Sequence, residues 1–270
     1  MPELPEVETI VNDISSALIG QVVKNAKFLN TAIREKCNQY SVKVLKGKEL
    51  KSISRSGKNI IFIFTGDIAI VCHLKMTGKL IVDSEISLAN KHRHFFIEFA
   101  KSRLDYYDVR KFGRICIIGT SNLANHPRLM KLGPEPFEIS AKHFANIAKK
   151  RNKPIKLVLL DQEIVAGLGN IYTDESLFNA GIRPSVKASK ISIIRLIRLH
   201  ESIIRVLDFA ISKRGTSVDD YLDGFGQKGN FQSLLKIYGK TGQTCPNCGL
   251  QFRRIVLGGR STHYCPKCQK

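Results

Sequence analysis

Apolar positions Val7, Ile10, Val11, Ile14 and Leu18 recur at i, i+3, i+4, i+7 and i+11, which is one face of a 3.6-residue period, and they predict an opening helix. Pro5 suits its first turn, Glu6 and Glu8 suit the positive end of its dipole, and Gly20 stops it. From Val22 to about Ile118 the texture changes to short apolar or alternating runs at 60–64, 68–72, 79–82, 95–99 and 113–118. Gly, Asn, Asp and Ser punctuate them. Strands this short and frequent predict an antiparallel sandwich or barrel. Residues 126–137 hold three prolines and a glycine and read as a linker. Helical periodicity then returns at 140–149, 155–161, 171–180 and 191–211. In the last of these, Ile191, Ile194, Leu196, Ile203, Val206, Leu207 and Ala210 trace the predicted buried stripe. Gly181 and Gly215 sit where helix C-termini are expected. A glycine-rich stretch, 223–229, leads into a cysteine-rich tail.

Composition adds one strong fact. Hydrophobic residues are 43% and charged residues 24% of the 270, an ordinary globular mixture that excludes a disordered or collagen-like chain. The balance of charge is not ordinary: the net is +20, with a pI near 9.8. A compact chain this basic repels itself unless a polyanion is its usual partner. Nucleic acid is the first candidate and an anionic membrane surface the second. Apolar runs such as 68–72 fall far short of the roughly 18 residues that a membrane span needs, and the first residues lack the basic segment of a secretory signal.

Of the seven cysteines, Cys37, Cys72 and Cys116 are scattered, whereas Cys245, Cys248, Cys265 and Cys268 crowd the end. This distribution fits a reduced, cytoplasmic protein with a metal site better than a disulfide framework. Two Cys-x-x-Cys knuckles, sixteen residues apart, can bring four thiolates to tetrahedral geometry around one structural zinc; a pair of redox dithiols is the alternative. Between them, 252–257 and 262–264 read as a hairpin with Arg260 at its tip. No Asp or Glu follows Asp223, so the tail suits a phosphate surface. Contact with another protein is the competing reading of such a ribbon.

The start, Pro2-Glu3-Leu4-Pro5-Glu6, has chemical potential of its own. With Met1 removed, Pro2 offers a secondary amine. A terminal amine titrates near 8, so roughly a tenth is neutral at pH 7, against under about one in a thousand for an ordinary lysine. Such an amine can attack a sugar's anomeric carbon and yield an iminium that serves as an electron sink. Glu3 is adjacent for proton transfer. Read alone, the prolines only stiffen entry to a helix.

The segments Met1–Thr9 (MPELPEVET), RSGKNI (55–60), HLKMTG (73–78), KHRH (91–94), DVRKFGR (108–114), LGPEP (132–136), DQEIVAGLGNIYTDESLFNAGIRP (161–184), YGKTGQTCPNCG (238–249) and GGRSTHYCPKCQK (258–270) occur in one order along the whole chain. In this they resemble the bacterial formamidopyrimidine-DNA glycosylases, bifunctional enzymes that remove oxidised purines from double-stranded DNA. The resemblance implies an α+β multidomain fold: an N-terminal antiparallel β-sandwich with flanking helices (1–125), a linker (126–139), a helix–two-turn–helix domain (140–228) and a C-terminal zinc ribbon (236–270). It assigns Pro2 as nucleophile and Glu3 as the proton shuttle, with Glu6 as a more structural carboxylate. Lys58 matches the lysine of the β-elimination step and Arg260 the arginine of the δ-step. Met76, Arg110 and Phe112 match the residues that fill the gap left by the flipped base. His73, His92, Arg151, Asn170 and Tyr238 match or neighbour DNA contacts, and His94 is a further neighbour. The loop 215–232, with Thr216, Ser217 and Tyr221, matches the segment that closes over the base.

In isolation Met76 and Phe112 read as core residues, and Gly167-Leu168-Gly169-Asn170 as an ordinary tight turn. Two departures stand out. Val109 and Lys111 replace the usual proline and second arginine of the Asp-Pro-Arg-Arg-Phe-Gly motif, which predicts a less rigid loop. Arg93 replaces an acid between His92 and His94, adding positive charge. Two other readings compete: the related endonuclease VIII chemistry on oxidised pyrimidines, and a DNA-binding zinc protein without catalysis. Nothing in the pattern marks an oligomer seam, so a monomer is expected.

Overall fold

The computed structural model describes residues 1–37, 39–83, 90–217 and 221–270. They form two compact units, residues 1–130 with 211–232, and residues 131–210 with 233–270.

The first unit opens with α1 (Leu4–Leu18), which has Pro5 in its first turn and Glu3 at its N-cap. The Glu3 N–H donates to Glu6 Oε2 at 2.8 Å, which satisfies a donor that the helix start leaves orphaned. Val7, Ile10, Val11, Ile14 and Leu18 are all buried, as the periodicity predicts. Two four-stranded antiparallel sheets follow. One is ordered β1 (Val23–Phe28), β6 (Arg93–Phe99), β7 (Arg103–Asp108), β5 (Gly78–Val82). The other is ordered β2 (Leu50–Ser56), β3 (Asn59–Phe64), β4 (Ile68–His73), β8 (Arg114–Ile118). Alternate residues Ile60, Phe62 and Phe64 of β3 meet Leu80, Phe95, Ile97 and Tyr106 in one core, closed by α1. The strands are β-branched and aromatic, and period-2 alternation puts one side of each on that core. The other face of β4 and β8 carries Ala69, Val71, Cys116 and Ile118, with Cys37 packed against them.

The second unit contains α2 (Ala141–Lys149), capped by the Ser140 hydroxyl, α3 (Ile155–Leu160), α4 (Asn170–Asn179) and most of α5 (Ile193–Ser212). Its last element is the hairpin β9 (Arg253–Leu257) and β10 (Arg260–Tyr264). The architecture is therefore the expected sandwich, helical domain and ribbon.

Two local expectations are corrected. Ile194 is 64% exposed and Val206 half-buried; the inner stripe of α5 runs through Leu196, Leu199, Ile203, Leu207 and Ala210. Ile194 precedes Leu196 by two residues, about 200° around the helix, and so faces outward. Arg260 is not the hairpin tip. Gly258 and Gly259 (φ +53° and +72°) form the two-residue turn, and Arg260 is the first residue of β10, opposite Leu257. A turn with both central residues at positive φ is one of those whose twist matches the flanking strands.

Candidate active site and metal centre

Pro2 and Glu3 are buried at the head of α1, in the first unit. Glu6, 1% exposed, holds this end together. Its Oε2 takes the Glu3 N–H and its Oε1 the Thr216 N–H at 2.7 Å. The neighbouring Gly215 lies at φ +76°, where a Cβ would come within 2.8 Å of Glu6 Oε1. A glycine is needed here for both reasons. Further along α1, Asp13 accepts from Arg214 at 2.6 Å and from the Gly224 N–H at 3.0 Å, and Arg214 also reaches Asp223 at 2.5 Å. Burial raises the Asp13 pKa even beside this guanidinium. The loop that matches the base-closing segment is thus seated on α1 by two carboxylates. Ser217 donates to Tyr221 O, and the Tyr221 phenol donates to Glu6 O; residues 218–220 of this loop lie outside the described residues.

Lys58 is buried in the two-residue turn between β2 and β3, after Gly57 at φ +56°. Arg55 ties that turn to α1: its Nε donates to Glu8 Oε2 at 2.6 Å and its Nη1 to Gly57 O at 3.0 Å. Met76, Arg110 and Phe112 meet on one exposed surface. The Arg110 guanidinium lies 4.6 Å from the Phe112 ring centre and donates to Met76 Sδ at 3.3 Å. Met76 and Phe112 are 43% and 45% exposed, the opposite of core residues. An apolar pair that soluble folds would normally bury is displayed here, with a cation stacked against it.

The 108–113 loop, which lacks the proline, is braced by a buried carboxylate. Asp108, fully buried, accepts at Oδ1 from the Thr77 hydroxyl and the Arg110 N–H, and at Oδ2 from the Gly113 N–H and the Tyr106 phenol. His94 is buried and donates from Nε2 to Asp108 O, so it serves this scaffold. His92 is half-buried beside it in a short 3-10 turn. His73, at the end of β4, accepts the Lys75 N–H at Nδ1. Burial first, then the charges of Lys75, Arg128 and Lys58, pull its pKa down to about 3. It is therefore a neutral acceptor and a poor electrostatic partner for phosphate.

In the second unit, Arg151 is exposed just after α2, and Asn170 opens α4 after Gly169. Asn170 Nδ2 donates to Ser261 O at 3.0 Å, while its buried Oδ1 has no hydrogen-bond partner among the described residues. Arg260, next to Ser261, is exposed. Tyr238 is half-buried, with its ring edge-on to His263. The sequence reading missed what holds these residues. Lys156 and Asp174 form a fully buried pair at 2.6 Å. Lys156 also donates to Ser261 O, and Asp174 Oδ2 takes the N–H and Nδ1–H of His263. Glu175 accepts the backbone N–H groups of Lys236, Ile237 and Tyr238. The available signals were a lysine inside the apolar run Ile-Lys-Leu-Val-Leu-Leu and an acidic pair, Asp174-Glu175, in the middle of the predicted helix α4.

The four tail cysteines fit one zinc. Their sulfurs lie within 4.8 Å of one another, with Cys245–Cys268 at 3.8 Å and Cys248–Cys265 at 3.5 Å. Two thiolates on a tetrahedral zinc stand about 3.7 Å apart. Cys245 and Cys265 sit in a small apolar cluster with Phe178, Ile237 and Phe252, so the metal would complete a core too small to stand alone.

Pro2 and Glu3 at the head of a unit of two antiparallel sheets, a helical unit and a four-cysteine ribbon that fits zinc together define the class of multidomain DNA glycosylases. Three family models match in succession: the formamidopyrimidine-DNA glycosylase N-terminal domain over 1–115, its H2TH domain over 132–221, and the zinc finger found in FPG and IleRS over 242–270. The formamidopyrimidine-DNA glycosylases of Ligilactobacillus salivarius and Bacillus cereus are 40% and 36% identical, each over 100% of this chain and 99% of its own length. A Lactococcus lactis FPG variant in complex with Fapy-dG-containing DNA superposes with a TM-score of 0.91 at 37% identity, covering 100% of both chains. The Lactococcus lactis Fpg in complex with abasic-site DNA gives 0.90, covering 99% of both. The chain belongs to the formamidopyrimidine-DNA glycosylase family. Among the described residues no helix is long and apolar enough to cross a membrane.

Proposed function

We propose that this chain excises oxidised purines, 8-oxoguanine and formamidopyrimidines, from duplex DNA and then cuts the strand at the resulting site. It acts as a monomer on cytoplasmic DNA. The catalytic layout is that of the sequence reading, with domains at 1–125, 140–228 and 236–270, of which residues 211–228 pack within the first compact unit. The observation that carries it is the convergence of Met76, Arg110 and Phe112 on one exposed face of the unit that begins with Pro2. A displayed wedge with a stacked cation has no use in a folded monomer, but it fills the space of an extruded base and pairs with the orphaned partner.

In this reading the Pro2 nitrogen bonds to C1′ and the glycosidic bond breaks, its electron pair leaving with the base, which takes up a proton. The proline N–H proton is lost. Glu3 then protonates O4′ as the sugar ring opens, leaving a C1′ iminium. Loss of a C2′ proton expels the 3′ phosphate, and loss of a C4′ proton expels the 5′ phosphate. Lys58 and Arg260 stand by these departing phosphates as cations and hydrogen-bond donors. His92, Arg151, Asn170 and Tyr238 hold the DNA backbone, with His73 alongside as a neutral acceptor. Zinc organises the ribbon and takes no part in bond making.

Borohydride trapping tests this reading. With Met1 removed, an 8-oxoguanine duplex should give a covalent adduct that maps to residue 2, and a thymine glycol duplex should give far less. Pro2→Gly should slow excision by about a hundredfold or more while duplex affinity stays within about threefold. An adduct mapping elsewhere, or unchanged nicking by Pro2→Gly, overturns the proposal.

A further inference from the structure

Away from the Pro2 terminus, four metal-binding side chains converge in the first unit. Glu35 and Cys37 lie on the segment after β1, Cys116 on β8 and His126 beyond it. The Cys37 and Cys116 sulfurs are 2.8 Å apart, His126 Nε2 is 3.4 Å from Cys37 Sγ, and Glu35 Oε2 is 3.7 Å from His126 Nε2. All four donor atoms fall within 4.8 Å of one another. From this geometry we infer a second metal site, a closed tetrahedral one for zinc, with two thiolate, one imidazole and one carboxylate ligand.

Three observations support it. Glu35 Oε2 is buried and has no hydrogen-bond partner among the described residues, although it points at the two sulfurs and His126. A buried carboxylate oxygen without a hydrogen bond, with only the His126 ring 3.7 Å away, is costly, and a cation is the partner that this donor set suits. The ligands are also held in place by backbone. Glu35 N–H donates to Ile115 O, Gln39 N–H donates to Ile117 O, and Arg34 bridges Ile115 in parallel, so Arg34, Glu35 and Gln39 lie alongside the strand that carries Cys116. Finally, the charges close. Arg128 Nη1 pairs with Glu35 Oε1 and its Nε with Asn59 Oδ1. Two thiolates, one carboxylate, Zn²⁺ and this guanidinium sum to zero, which a buried site requires.

A disulfide is the competing use of the two sulfurs. Their separation exceeds the roughly 2.05 Å of an S–S bond, and a disulfide would engage neither His126 Nε2 nor Glu35 Oε2, which both face the sulfurs. Zinc spreads the sulfurs to about 3.7 Å. Bound at Nε2, it also puts the His126 proton on Nδ1, giving up only the 3.3 Å contact from the Arg128 N–H.

The test is metal content. Full-length protein, reduced and then titrated with Zn²⁺ followed by gel filtration, should carry two zinc ions per chain by elemental mass spectrometry. Cys37→Ala/Cys116→Ala should carry one. Co²⁺-loaded wild type provides a reading that needs no variant: its thiolate charge-transfer bands should resolve two sites, one with four sulfurs and one with two. A single equivalent of zinc in the wild type, two equivalents retained in the double variant, or a Cys37–Cys116 disulfide in protein purified under reductant overturns the inference.

Discussion

Single buried polar groups shape the surfaces of this protein. Asp108 accepts four hydrogen bonds and so braces the loop that carries Arg110 and Phe112. His73 does the reverse, giving up its charge to fit. Its ordinary pKa near 6.5 falls to about 3 on folding, so protonation favours the unfolded chain. The stability gained by keeping it neutral is therefore complete above pH 6.5 and is lost as the pH falls from there toward 3. His73→Asn keeps an acceptor for the Lys75 N–H and removes the titration. Between pH 7 and pH 5 the wild type should lose up to about 2 kcal/mol more than this variant in urea unfolding. Parallel losses in the two proteins would remove His73 from the account. None of this is visible in the sequence, where a histidine and an aspartate look like surface residues until the neighbours that bury them are known.

The elements were largely legible. Periodicity located α1 to α5 and five of the strands, because a helix or a strand with one buried side writes its period into the sequence. The docking of the ribbon hairpin on the helices was not legible, since Lys156 and Asp174 lie far in sequence from Ser261 and His263. Ser261 O accepts from both Lys156 Nζ and Asn170 Nδ2, so the strand that starts at Arg260 is anchored one residue after it. Lys156→Met should destabilise the protein by about 3–5 kcal/mol, because Asp174 would remain as a buried carboxylate without its cation. A loss under about 1 kcal/mol in chemical denaturation would show that the pair is not the anchor.

Over the whole molecule, the +20 charge supplies a general attraction to a polyanion, and stability is divided between different cores. The first unit rests on a broad apolar core between two sheets, whereas the ribbon rests on a handful of side chains around its cysteines. Chelating zinc from the reduced protein should therefore release the amides of β9 and β10 to hydrogen exchange while those of β3 and β4 stay protected. Equal protection of the hairpin with and without the metal would show that zinc is dispensable to it. The chain also returns on itself at this scale: residues 211–232 pack with the N-terminal unit, through Glu6 and Asp13, although they follow the long helix of the other.

The sequence alone determined the order of elements, the four-cysteine ribbon and the family, because these depend on local period and on short spacings. The tertiary structure decided which side chains are displayed and which are hidden. It turned Met76 and Phe112 outward, buried Lys156, and gathered Glu35, Cys37, Cys116 and His126 from three stretches of chain. Such proximity depends on how strands pair and sheets stack, and no period along the chain encodes it.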